Sequence, residues 1–104
     1  MITLYIDSSD NKRITVGLKL NNKKYFLKHK VDSRKAQIIL PLIDKLFRKH
    51  NLKLEDIGRI EVKTGPGSFT GLSVGVSVAN ALGFFLKIPI NGKRIGELAQ
   101  PYYK

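Results

Sequence analysis

A chain of 104 residues without cysteine is sized for one small domain, and it excludes disulfide stapling and thiolate chemistry. Its 19 Lys and Arg against 8 Asp and Glu leave a formal charge of +11, which fits either an anionic partner such as nucleic acid or the composition of an AT-rich genome. The apolar share of 42% is that of a globular protein, and the lack of cysteine fits a reducing cytosol.

Residues Ile2 to Asp7 read as a first strand, with Ile2, Leu4 and Ile6 on one face and Thr3 and Tyr5 on the other. No basic start or cleavage region marks them as a signal peptide. Residues 13–20 form a second strand with Ile14, Val16, Leu18 and Leu20 on one face. Asn21-Asn22 is a two-residue hairpin turn into a third strand over 23–31. That turn sets the register: Leu20 opposite Lys23, Leu18 opposite Tyr25, Val16 opposite Leu27. The other face then carries Arg13, Lys19, Lys24, Lys28 and Lys30, with Phe26 among them. These five cations repel one another, so that face is solvated or meets an anion, and they are the candidate nucleic-acid-binding residues.

A helix is expected from about Ser33 to His50, capped by Asp32 or Ser33, with Pro41 bending it. One amphipathic stripe takes Ala36, Ile39, Leu40, Ile43 and Phe47; Ile38 and Leu42 fall outside it and widen the apolar surface. Such a helix touches its own sheet and something else. After a polar link with Glu55 and Asp56, a fourth strand (58–63) turns Ile60 and Val62 one way and Arg59, Glu61 and Lys63 the other.

The run Thr64-Gly65-Pro66-Gly67-Ser68-Phe69-Thr70-Gly71-Leu72 then makes a tight turn into an uncharged helix reaching about Leu86, capped by Ser68 or Thr70. The turn is either purely structural or an anion site at a helix N-terminus; no Gly-Lys-Ser/Thr follows, so it is not a Walker A loop. Ser68, Thr70, Ser73, Ser77 and Asn80 argue against a membrane span. Gly71, Gly75, Ala79 and Gly83 recur every four residues, a small-residue stripe for close packing on the first helix or the sheet, or else for a partner. Glycines in a helix interior cost roughly 1 kcal/mol each, so close packing must compensate. A fifth strand, Ile88-Pro89-Ile90, and a short helix near Arg94 to Ala99 complete the expected elements.

Every strand is apolar on one face and mostly polar on the other, which implies two layers with both long helices on one side of the sheet. The opposite face is expected to be largely open, partly shielded by Ile95, Leu98, Tyr102 and Tyr103.

Catalytic chemistry is sparse. His29 lies on the basic strand and His50 at a helix end, where it serves the helix dipole. No spacing of His, Asp or Glu fits a metal site. Ser68 has no companion base, which argues against a hydrolase nucleophile. Asp7 ends the first strand, where it either faces a metal-bound phosphate or makes an Asx turn.

The run Lys63 to Gly75 resembles the TsaB (YeaZ) family of the actin-like ATPase superfamily, which helps make the threonylcarbamoyladenosine modification of tRNA. Ile6-Asp7-Ser8-Ser9 is similar to that family's opening, Leu40-Pro41-Leu42-Ile43-Asp44 to its proline-bearing helix, and Ile88-Pro89-Ile90 to its Ile-Pro-Val strand. The resemblance implies an α/β RNase H-like or actin-like ATPase lobe: a five-stranded mixed sheet, two long helices on one face and a short C-terminal helix. Residues 1–104 would be a single TsaB-like N-terminal lobe with the second lobe absent. Nucleotide sites of the superfamily lie between two lobes, and Asp7-Ser8-Ser9 lacks the phosphate-loop glycine, so no nucleotide, cofactor or metal is expected.

The resemblance further implies a cytoplasmic, non-catalytic subunit that binds and stabilises a TsaD-like threonylcarbamoyltransferase through a helical bundle. A TsaE-like ATPase in the same complex, tRNA bound through the complex, and a homodimer through the same helices belong to this expectation; a membrane does not. The candidate partner-binding residues are Ile38, Leu42, Leu46, Val74 and Val78. The rival readings are a basic tRNA-binding accessory module and a decayed actin-like ATPase lobe.

Overall fold

The computed structural model describes residues 1–31 and 35–102. The expected cap at Asp32 or Ser33 and the shielding by Tyr103 lie outside the described residues. In chain order the elements are β1 (Ile2–Asp7), β2 (Arg13–Leu20), β3 (Lys23–Lys30), α1 (Lys35–Lys49), a 3-10 turn at Leu54–Asp56, β4 (Ile57–Val62) and α2 (Phe69–Leu86).

The sheet is mixed, in the order β3-β2-β1-β4, with β1 antiparallel to β2 and parallel to β4. The hairpin has the expected register, Leu20 opposite Lys23 and Val16 opposite Leu27. Asn21 and Asn22 both take positive φ, 53° and 66°, the backbone that a two-residue turn needs to match the strand twist. Ile2, Leu4, Ile6, Ile14, Val16, Leu18, Ile60 and Val62 build the inner face, and both helices cover it. α1 lies over β2 and β3, α2 over β4 and β1, and the helices touch each other.

Among the described residues the sheet has four strands, not five. Ile90 makes one parallel bridge to Ile60, held by Ile60 N–H to Pro89 O and Asn91 N–H to Ile60 O. The backbone then leaves the sheet, because Asn91 (φ 53°) and Gly92 (φ 73°) take left-handed conformations. The Asn91 side chain finishes the ladder instead: its Oδ1 accepts from Val62 N–H at 2.8 Å and its Nδ2 donates to Val62 O at 3.0 Å. The expected helix over 94–99 is likewise replaced by a turn closed by Glu97 N–H to Arg94 O, with Gly96 at φ 93° breaking the helical path.

The small-residue stripe of α2 packs on the chain's own layers. Gly71, Gly75, Ala79 and Gly83 are all buried; Gly75 meets Ile6 and Ser8, and Gly83 meets Ile90. By length and composition α2 could cross a bilayer. Here its glycine side lies on the sheet, and the Ser8 hydroxyl is pinned against it.

The tail runs along α2. The Asn80 amide pairs with both backbone groups of Ala99, and Tyr102 N–H donates to Thr64 O. Ile95, Leu98 and Tyr102 stay exposed, which corrects their expected shielding role on the far face of the sheet.

Candidate functional site

The glycine-rich turn between β4 and α2 is tied up internally. The Ser68 hydroxyl caps α2 by accepting from Gly71 N–H at 3.1 Å and donates to Asn11 Oδ1 at 3.1 Å. Tyr102 donates its hydroxyl to Gly65 O at 2.8 Å, and its own carbonyl packs where a Cβ on Gly65 would stand. Asp7 makes an Asx turn, its Oδ1 accepting from the backbone N–H and the hydroxyl of Ser9 at 2.9 and 2.7 Å. His50 bonds Leu46 O through Nδ1 and packs on Tyr25, with ring centroids 4.3 Å apart. Each group weighed for chemistry in the sequence thus has a structural partner, His29 and its exposed ring on β3 excepted. Among the described residues no cluster of three or more His, Asp or Glu could hold a metal.

Two surfaces remain. The first is the outward side of the helix layer. α1 buries Ile39, Leu42, Ile43, Leu46 and Phe47, spaced i, i+3, i+4, i+7, i+8. The stripe is therefore rotated from the expected one. Leu42 and Leu46, at 7% and 1% exposure, belong to the chain's own core, which removes them from the partner-binding candidates, while Leu40 turns out at 48%. Ile38, Val74 and Val78 stand half-buried at the margin of the core.

Sequence reasoning passed over the largest contributors, Phe84 and Phe85, exposed at 77% and 82%. With Leu40, Val78, Ala81 and Leu82 they line an apolar groove of about 360 Å³ between the helices. The cause lies in α2 itself. Its inward side takes Gly71, Leu72, Gly75, Val76, Ala79 and Gly83, which leaves Phe84 and Phe85 on the outward side, and none of its 18 residues is charged. An exposed contiguous apolar patch of this kind marks an interaction site, and aromatic side chains dominate such sites.

The second surface is the far side of the sheet, which neither α1 nor α2 covers. The register brings all five predicted cations onto it, with Arg13 opposite Lys30, Thr15 opposite Lys28 and Lys19 opposite Lys24. Arg59 from β4 joins them, its Nε donating to Thr3 Oγ1 at 3.2 Å.

A family profile described as TsaD, tRNA N6-adenosine threonylcarbamoyltransferase, matches residues 29–92. Among curated relatives, the tRNA threonylcarbamoyladenosine biosynthesis protein TsaB of Buchnera aphidicola subsp. Baizongia pistaciae is 28% identical over 75 residues, covering 72% of this chain and 34% of that protein. The tRNA N6-adenosine threonylcarbamoyltransferase of Nitrosospira multiformis is 46% identical over 54 residues, covering 52% of this chain and 16% of that protein. Among solved structures, YeaZ from Pseudomonas aeruginosa superposes with a TM-score of 0.82 at 25% identity, over 89% of this chain and 43% of that one. The chain thus spans less than half the length of each of these relatives.

Proposed function

Since the chain belongs to the TsaD family, on its TsaB (YeaZ) side, we propose that it is a non-catalytic partner subunit in tRNA threonylcarbamoyladenosine synthesis. It binds and stabilises a TsaD-like threonylcarbamoyltransferase in the cytoplasm and needs no cofactor of its own. The observation that carries this reading is the uncharged outer side of α2, where Phe84 and Phe85 stand in water beside Leu40. Burying two such rings recovers roughly 1.5–3 kcal/mol each, enough to anchor a helix pair from another lobe. Ile38, Val74 and Val78 border the same surface and extend the docking area. In the absence of the partner the surface serves self-association, a homodimer through the same helices. A TsaE-like ATPase and tRNA join through the assembled complex.

The test is co-purification with the TsaD-like protein of the same organism. Phe84→Asp and Phe85→Asp should each abolish capture while leaving the circular dichroism spectrum and the unfolding midpoint unchanged, since both rings are exposed. Normal capture by both variants would sink the assignment of this surface.

A further inference from the structure

The far side of the sheet carries more order than its charge alone. Cross-strand pairing arranges it in rows perpendicular to the strands. One row runs Lys24, Lys19, Thr3, Arg59; the next runs Phe26, Gly17, Tyr5, Glu61; the third begins Lys28, Thr15, Asp7. Lys63, which follows β4, closes that third row, its N–H donating to Ile6 O. Arg13 and Lys30 lie one row further. An aromatic row is thus set between cationic rows, each two residues, or about 7 Å, away along the strands.

The Phe26 ring lies over Gly17, which has no Cβ to displace it, and its centroid is 6.0 Å from that of Tyr5. Lys24 Nζ stands 5.4 Å from the Tyr5 ring centroid. Phe26 keeps 49% of its surface exposed and forms one wall of an open cavity of about 360 Å³ shared with Tyr5, Thr15, Asp7, Glu61 and Lys63.

We propose that this face binds single-stranded RNA, with a base stacked on the Phe26–Tyr5 pair and phosphates held by the lysines of the flanking rows. Flat rings offered between cations are what unpaired bases and their backbone require, because every base has a π-face and every linkage a negative charge. A duplex hides its bases and makes no use of the aromatic row. The acceptors on the same face, Thr15, Asp7 and Glu61, repel or ignore phosphate but accept from ribose 2′-hydroxyls and base amino groups. Deoxyribose lacks that hydroxyl, so RNA is the fitting strand. The site is separate from the helix surface and stands whether or not that surface binds a partner.

Fluorescence anisotropy of the isolated chain with a short unstructured RNA, the DNA of the same sequence and an RNA duplex tests it. The single-stranded RNA should bind tightest, with affinity falling as salt rises and a log–log slope of about −3 for some four phosphate contacts. Phe26→Ala should weaken binding roughly tenfold at an unchanged slope. Because Phe26 also covers Gly17, Phe26→Leu keeps that cover without the π-face and should show the same loss, with Phe26→Tyr restoring affinity. Lys28→Gln should instead make the slope shallower by about 0.7. No binding, equal binding of duplex or DNA, or full affinity in Phe26→Leu would each overturn the proposal. Any of these results leaves the helix-surface reading standing, since no helix residue is altered.

Discussion

Ser8 and Gly75 are joined at the point where the end of β1 meets α2: the Gly75 N–H donates to Ser8 Oγ at 3.0 Å, and the same hydroxyl donates to Gly71 O at 2.6 Å. The contact is possible only because residue 75 has no side chain. A Cβ there would lie 2.5 Å from Ser8 Oγ and 3.2 Å from Ile6 Cγ2. Gly75→Ala gains about 1 kcal/mol in helix propensity. The steric conflict with two fixed, buried neighbours costs about 1–3 kcal/mol. The variant should therefore be less stable than the parent despite being the better helix former, and Gly75→Val less stable still, as urea denaturation would show.

Asn91 completes β4 with its side chain, so its removal should loosen that edge. Asn91→Ala loses both bonds to Val62 and leaves a left-handed residue with a Cβ. A loss of about 1–3 kcal/mol is expected. Asn91→Asp keeps the acceptor for Val62 N–H but sets a carboxylate against Val62 O, and should be no better. Hydrogen exchange at the Val62 amide reads the effect directly, and it should accelerate in both variants.

The inward and outward positions of the helices should respond oppositely to charge. Leu42→Asp places a carboxylate in the core and should cost several kcal/mol or prevent folding. Phe84→Ser with Phe85→Ser should leave the unfolding free energy within about 0.5 kcal/mol of the parent, because neither ring is buried. The same double change should shift the free chain toward monomer in sedimentation velocity. Unchanged self-association would show that these rings are not the contact.

Asn80 anchors the tail by pairing with both backbone groups of Ala99. Asn80→Ala should free the segment beyond residue 91 and raise its sensitivity to trypsin at Lys93 and Arg94, with the helices still protected. Limited proteolysis followed by mass spectrometry checks this. Cleavage at the parental rate would mean that Tyr102, through Thr64 and Gly65, suffices to hold the tail.

The sheet was legible in the sequence because its determinants are local. Alternation assigns each residue a face, and Asn21-Asn22 demands the two-residue turn that sets the register, so the basic side could be drawn before any coordinates. The rotation of α1 was not legible. Its apolar residues cover so much of the circumference that Ala36–Ile39–Leu40 and Ile39–Leu42–Ile43 make equally good stripes. Seating over β2 and β3 decides between them. The fifth strand failed on one backbone angle, at Asn91, and the last helix on another, at Gly96. Phe84 and Phe85 escaped notice because aromatic residues in an uncharged helix read as core. The signal was nonetheless present: Gly71, Gly75, Ala79 and Gly83 mark the inward side at intervals of four, and Phe84 and Phe85 fall off that line.

Asn91 also bears on how this protein avoids clumping. A sheet border normally offers unpaired backbone to any passing extended peptide. On the β4 side that invitation is withdrawn, since residues 89–91 and the amide of Asn91 occupy it. On the β3 side, Lys23, Lys24, Lys28 and Lys30 make a second copy's identical rim electrostatically unwelcome. Fibril growth by strand stacking is thus discouraged at both margins.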